Sequence, residues 1–286
     1  MEQRRKVVVT GAAGRIAGLM LPALRLRYDL TLLDVRTTSR DGGEMDDVQI
    51  ADLLDRVGES YRPHFSGADA VVHFAMVPPQ DYSDPTQRFR AEAANVELAF
   101  NIYMTSLEEG VRRVVTASSN HAADYYEPLI LDKKTDLVTP DTRALSDDYY
   151  GWAKETYEHL GFVFAVGKAN GRPLENVQIR IGAPRETDLG NCPPGDMRCV
   201  RRALAAYVSQ RDLAQLFIKS IEAEDIRDEH GVPFQIFYGI SDNPHAFWSI
   251  ANARRIIGYE PQDNSEIRFQ QQIAAHLAAA RSLKRG

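Results

Sequence analysis

Apolar positions in the first two-thirds of the chain fall into two alternating patterns. Val7-Val8-Val9, Leu30 to Leu33, Val48-Gln49-Ile50, Asp69 to Phe74, Arg113 to Ala117 and Val177 to Ile181 read as short strands. The three β-branched residues Val7 to Val9 predict a central strand of a parallel sheet, covered on both faces. Between them, Ala91 to Leu107 carries apolar residues at helical spacing (Ala94, Leu98, Ile102 and Val96, Ala99, Tyr103) and stops at Gly110. Asp148 to Gly167 reads as a second such helix. Pro78 and Pro79 prevent the fourth strand from continuing. Alternation of this kind predicts an α/β fold, a doubly wound parallel sheet. After Ile181 the pattern breaks: Gly182 to Arg198 is rich in Pro, Gly and charge and reads as a loop. A helix from about Val200 to Glu222 follows, then a strand over Phe234 to Ile240, a helix over Phe247 to Ile257 and a terminal helix over Ser265 to Arg281. Residues 1–181 thus read as one sheet domain carrying the chemistry, and 182–286 as a smaller substrate-binding region capping its crevice.

Ligands of doubly wound sheets sit at the carboxyl ends of strands. The first such end is Val9-Thr10-Gly11-Ala12-Ala13-Gly14-Arg15-Ile16-Ala17, a strand, a glycine turn and a helix start with spacing G-x-x-G-x-x-A. Gly11 accommodates a tight turn. Gly14 leaves room for a pyrophosphate at the helix N-terminus, where the dipole favours an anion. The second strand ends in Asp34, placed to accept hydrogen bonds from adenosine ribose hydroxyls and to repel a 2′-phosphate. This points to a Rossmann-type site for NAD rather than NADP, with Arg36 close enough to blunt that preference. Ala75 and Ser119 fall at further strand ends, so one crevice collects them all.

The chain is 44% hydrophobic and 26% charged, with a net charge of −6. That suits a globular protein with a real core, and no basic block accompanies aromatics to suggest nucleic acid. No run of 18 apolar residues is present to cross a membrane. The N-terminus runs straight into the first strand, leaving no room for a signal peptide, so the expected location is cytoplasmic. The two cysteines, Cys192 and Cys199, are too few for a disulfide framework and lack the companions a zinc site needs. They read as free loop thiols in a reducing compartment, and no metal is expected.

Tyr150 and Lys154 lie four apart on the predicted helix and share a face. A lysine ammonium beside a tyrosine favours the phenolate, making it a usable base. A Ser hydroxyl from the preceding strand end would orient an alcohol whose proton the phenolate removes as hydride leaves the same carbon for NAD.

The Gly11 turn, Asp52-Leu53, Val72-His73-Phe74-Ala75, Asn95, Ser118-Ser119 and Tyr150-Gly151-x-x-Lys154 together resemble the extended short-chain dehydrogenase/reductase (NAD-dependent epimerase/dehydratase-like) family over about residues 6–183. The resemblance implies Ser119, Tyr150 and Lys154 as the catalytic group. It implies a cofactor site drawn from Gly11, Ala13, Gly14, Arg15 and Ile16 in the turn. To these it adds Asp34, Asp52, Leu53, Phe74 and Ala75 at the strand ends, then Asn95, Ser118, Ile181, Tyr150 and Lys154. Tyr149, five from the lysine, faces elsewhere. Ser118-Ser119-Asn120-His121, Tyr125-Tyr126, Arg180-Ile181-Gly182, Arg202-Ala203-Leu204 and Gly258-Tyr259-x-Pro261 resemble more narrowly the uronate dehydrogenases. These oxidise the anomeric carbon of a hexuronate with NAD. That likeness implies substrate contacts from Met76, Ser119, Asn120, His121 and Tyr150. It also implies a carboxylate grip from Arg202, with Arg201 adjacent. The chain departs from that group at Val77-Pro78-Pro79 and at Ala183, where serines are expected, so a different or less hydroxylated substrate is anticipated. A nucleotide-sugar epimerase or dehydratase with tightly bound NAD is the first alternative; the short C-terminal region weighs against it. A non-catalytic NAD-sensing regulator is the second; the intact Ser119, Tyr150 and Lys154 set weighs against it. In the resembled family the two helices predicted above pair across a two-fold axis, implying a homodimer or higher homo-oligomer.

Overall fold

The computed structural model describes residues 4–185 and 189–283. Seven strands, β1 (Lys6–Thr10), β2 (Asp29–Asp34), β3 (Val48–Ile50), β4 (Ala70–His73), β5 (Arg113–Ser119), β6 (Glu175–Ile181) and β7 (Phe234–Gly239), form one sheet in the order β3-β2-β1-β4-β5-β6-β7. All neighbouring pairs are parallel. The helices are α1 (Arg15–Arg27), α2 (Arg62–Phe65), α3 (Pro85–Glu108), α4 (Tyr126–Leu131), α5 (Tyr149–Val166), α6 (Met197–Ala206), α7 (Gln210–Glu222), α8 (Ala251–Ile257), α9 (Ser265–Arg268) and α10 (Gln270–Leu283).

Successive side chains of a strand leave opposite faces of the sheet, and both faces are buried here. Val8, Val71 and Val114 point into the layer holding Leu98, Ile102 and Tyr103 of α3 and Tyr157 and Phe164 of α5. Val7, Val9, Val72 and Val115 point into the other layer, with Met20 and Leu24 of α1 and Leu213 and Phe217 of α7. The doubly wound architecture read from the apolar runs is therefore the observed one.

Four local readings are corrected. Helix α3 starts at Pro85, six residues before the apolar periodicity begins; Asp84 caps it by accepting from Thr86 N and Gln87 N, and Pro85 occupies a first-turn position that needs no N–H. The single helix expected over 200–222 is two. Tyr207–Val208 leaves the helix to pair with Ala183, and Ser209 restarts it by accepting from Asp212 N. Helix α8 starts at Ala251 rather than Phe247, because Phe247 O accepts from Val138 N and holds that stretch extended. Cys192 and Cys199 are not free: they are joined in a disulfide. Asp196 N donates to Pro193 O and the Asp196 side chain accepts from Arg198 N and Cys199 N, turning the chain back so that the two Cα atoms lie 5.6 Å apart. Their chemistry therefore no longer argues for a reducing compartment.

The chain beyond residue 181 is not wholly set apart from the sheet. β7 pairs with β6, and α7 shares a core with α1. A smaller cluster of Leu189, Cys192, Val200, Leu204, Tyr207 and Phe269 forms the cap built on α6 and the chain entering α10. Among the described residues no helix is long and apolar enough to cross a membrane.

Candidate active site

The glycine turn is closed by backbone geometry that only glycine meets. Gly11 has φ +71°, and a Cβ there would overlap the main chain of Phe74 and Ala75 leaving β4. Gly14 caps α1 with extended backbone and no side-chain bond, and a Cβ there would press on Gly11 O at 2.9 Å. Arg15 and Ile16 form the first turn of α1 behind it. Ala13 N donates to Asp34 Oδ2 at 3.0 Å, so the acidic end of β2 touches the turn directly. Arg36 N donates to Asp34 Oδ1 at 3.3 Å, and Arg36 Nη2 reaches Ala13 O at 3.5 Å. A cradle that a Cβ would fill, a helix N-terminus without a side-chain cap and a carboxylate beside it fit a dinucleotide pyrophosphate and ribose.

The strand ends around the turn are fixed in place. Leu53, after β3, is buried and its carbonyl accepts from Asn101 Nδ2, while neighbouring Asp52 is exposed. Phe74 N donates to Thr10 O, and its ring meets Phe217 at 5.0 Å. Asn95 clamps Val77 at both its N–H (2.6 Å) and its carbonyl (3.1 Å), so it positions the Ala75–Val77 loop, where Met76 is exposed. Thr10 Oγ1 and His73 Nδ1 are 2.7 Å apart in the core. Burial, with the Lys154 charge adding to it, pushes His73 down to about 3, so this imidazole is neutral.

Helix α5 brings the chemistry to the end of β5. Asp148 caps it through Gly151 N at 2.7 Å. A Cβ on Gly151 would overlap His121 O and Ser146, so this glycine lets the helix seat against the turn over Asn120–Ala123. Lys154 is buried. Its Nζ donates to Ala117 O at 3.2 Å and lies 5.0 Å from the Tyr150 ring centre. Tyr157 donates to the same carbonyl at 3.0 Å. Tyr149, as expected from its spacing, turns away; it is exposed and packs on Phe89. Ser119 Oγ accepts from His121 N and lies 3.4 Å from Asn120 Oδ1. The His121 ring meets the Tyr150 ring edge-on at 5.7 Å, and its Nδ1 is 2.8 Å from Asp124 Oδ2. Ser119, Asn120, His121, Tyr150 and Lys154 therefore meet in one place.

Two placements were not visible in the sequence. Ser118 Oγ donates to Glu158 Oε1 at 2.5 Å, turning its side chain into a buried cluster where Glu158 grips Arg180 and Arg180 donates to Tyr238. The Ser118 side chain is thus engaged in this cluster rather than turned to the crevice. Burial alone would lower Arg180, but the Glu158 carboxylate outweighs it and holds the guanidinium above its ordinary value. Ile181 ends β6 in register with Ser119. Arg202 from α6 reaches toward the site and is met by Glu127 of α4, Nε to Oε2 at 3.0 Å and Nη2 to Oε1 at 3.2 Å. Glu127 Oε1 also accepts from Asn120 Nδ2 at 3.1 Å. Arg201 lies over the Phe247 ring instead.

Comparison with known proteins places the chain in a family. Residues 7–167 match the model of the NAD dependent epimerase/dehydratase family. An NAD-dependent glucose-6-phosphate dehydrogenase of Haloferax volcanii is 30% identical over 272 residues, 91% of this chain and 94% of that protein. A uronate dehydrogenase of Pseudomonas syringae pv. tomato is 27% identical over 263 residues, 92% and 83% of the two chains. The crystal structure of uronate dehydrogenase from Agrobacterium tumefaciens aligns with a TM-score of 0.70 at 25% identity, covering 95% of this chain and 89% of that one. With its glycine cradle, its Tyr150–Lys154 pair and these matches, the chain belongs to the NAD dependent epimerase/dehydratase family.

Proposed function

We propose that the protein is an NAD-dependent dehydrogenase that oxidises a secondary or anomeric alcohol of a sugar or sugar acid. The observation that carries this reading is the buried Lys154 ammonium, fixed by Ala117 O and held 5.0 Å from the Tyr150 ring at the same crevice as the glycine cradle. NAD, when bound on Gly11, Ala13, Gly14 and Asp34, supplies the hydride acceptor. Tyr150 takes the proton of the substrate hydroxyl, and the Lys154 charge stabilises the phenolate that does so. Ser119 orients the hydroxyl, and Asn120 and His121 flank it. The relatives' names, a glucose-6-phosphate dehydrogenase and a uronate dehydrogenase, support sugar oxidation.

The reading is tested by supplying purified protein and NAD with a panel of aldoses, uronic acids and aldonic acids and following absorbance of the reduced cofactor. Stoichiometric NADH per substrate supports it. An epimerase returns its hydride and accumulates none.

The same reading includes a homodimer through α3 and α5. Phe89, Phe100, Trp152 and Phe162 on these adjacent helices are 36–44% exposed, apolar surface that a second copy could cover. Sedimentation at the mass of one chain would exclude it.

A further inference from the structure

Resting on the dehydrogenase reading, the geometry points to Glu127 as a specificity-determining residue: we infer that it neutralises Arg202 and selects sugars whose end remote from the oxidised carbon is uncharged. Arg202 is the cation that α6 extends toward the Asn120 end of the site. Its fork is already taken, side-on, by both oxygens of Glu127. The pair is sheltered, with side-chain exposures of 28% and 14%. The neighbouring groups are paired as well: His121 Nδ1 lies 2.8 Å from Asp124 Oδ2, and Arg198, four residues before Arg202, faces Asp132 at 2.7 Å. Lys154 is committed to Ala117 O and the Tyr150 ring.

What this end of the site presents is a mixed row of donors and acceptors. Asn120 Nδ2 gives one hydrogen to Glu127 and keeps a second, Arg202 Nη1 keeps its own, and a carboxylate has lone pairs beyond the three bonds Glu127 accepts. A hydroxyl donates and accepts, so it matches that row. A carboxylate or phosphate only accepts, and it would lie against the Glu127 charge. An arginine built to grip an acidic substrate would keep both fork positions for it.

The test measures kcat/KM of the whole protein with NAD for galactose, galacturonate and glucose 6-phosphate, in the wild type, E127Q and R202Q. The wild type is expected to favour the neutral sugar at least tenfold. E127Q, which leaves the Arg202 charge unmatched, should shift the galacturonate-to-galactose ratio at least tenfold toward the acid, chiefly through KM. R202Q should shift it the other way. Should E127Q fail to fold, the wild-type ratio and R202Q decide. Wild-type preference for either anionic sugar, or a ratio unmoved in folded E127Q, overturns the inference while leaving the dehydrogenase reading intact. No NADH from any sugar overturns both.

Discussion

The proposed cofactor choice rests on Asp34, and its removal has a calculable effect. In Asp34→Ala the Ala13 N–H loses its acceptor at 3.0 Å, and the ribose of a bound dinucleotide loses a charged one. A hydrogen bond to a charged group contributes about 1.5–3 kcal/mol. NAD affinity should therefore fall by roughly 10- to 100-fold, since about 1.4 kcal/mol is a factor of ten. NADP should not weaken in parallel. Its 2′-phosphate would no longer face the carboxylate, and Arg36, whose Nη2 lies 3.5 Å from Ala13 O, is at hand to receive it. The preference for NAD should narrow at least tenfold. Asp34→Asn, which keeps an acceptor without the charge, should fall between. Calorimetric titration with both dinucleotides at one fixed ionic strength measures this. An unchanged NAD-to-NADP ratio in Asp34→Ala would show that ribose recognition lies elsewhere.

Two further expectations concern stability. His73 is pushed down to about 3 in the fold from an ordinary 6.5, so below pH 6.5 the unfolded chain binds a proton that the native state does not. The stability this neutral imidazole contributes is fully present above pH 6.5 and declines by up to about 1.4 kcal/mol per pH unit below it. Urea unfolding between pH 7 and 5 should show that slope in the wild type and lose it in His73→Gln; equal slopes would contradict the burial argument. The Cys192–Cys199 disulfide spans a sequence separation of 7, and closing so short a loop contributes about 2–3 kcal/mol. The double Cys→Ser variant should lose about that much in urea, and alkylation of the unreduced, denatured protein should add no label. Two labels would show free thiols.

What the sequence displayed were features whose meaning is local. The glycine turn, the Asp34 strand end and the Tyr150–Lys154 spacing each lie within one element or one turn, where backbone geometry alone decides which side chains meet. Strands covered on both faces were legible because every residue of Val7-Val8-Val9 had to be apolar. Glu127 was invisible because it meets Arg202 across 75 residues, and nothing near either one signals the other. The Glu158–Arg180 pair was hidden likewise: Arg180 sits between Ile179 and Ile181 in a strand that does not name its partner, and Glu158 lies 22 residues away on α5. The start of α3 escaped because Pro85 to Arg90 is polar and exposes Phe89, so capping rather than periodicity defines it. The break between α6 and α7 is set by pairing with Ala183, a tertiary contact that helical spacing cannot register.

In the proposed reaction the Tyr150 phenol, held beside the Lys154 ammonium, is the base that deprotonates the sugar. Tyr150→Phe removes one oxygen and keeps the ring that packs against His121. With the best sugar from the panel, NADH formation in this variant should drop by a factor on the order of 10²–10⁴, the range a positioned acid–base group supplies. Calorimetric NAD affinity should stay within a few-fold of wild type. Turnover in Tyr150→Phe within a few-fold of the wild type, with NAD bound normally, would contradict the account.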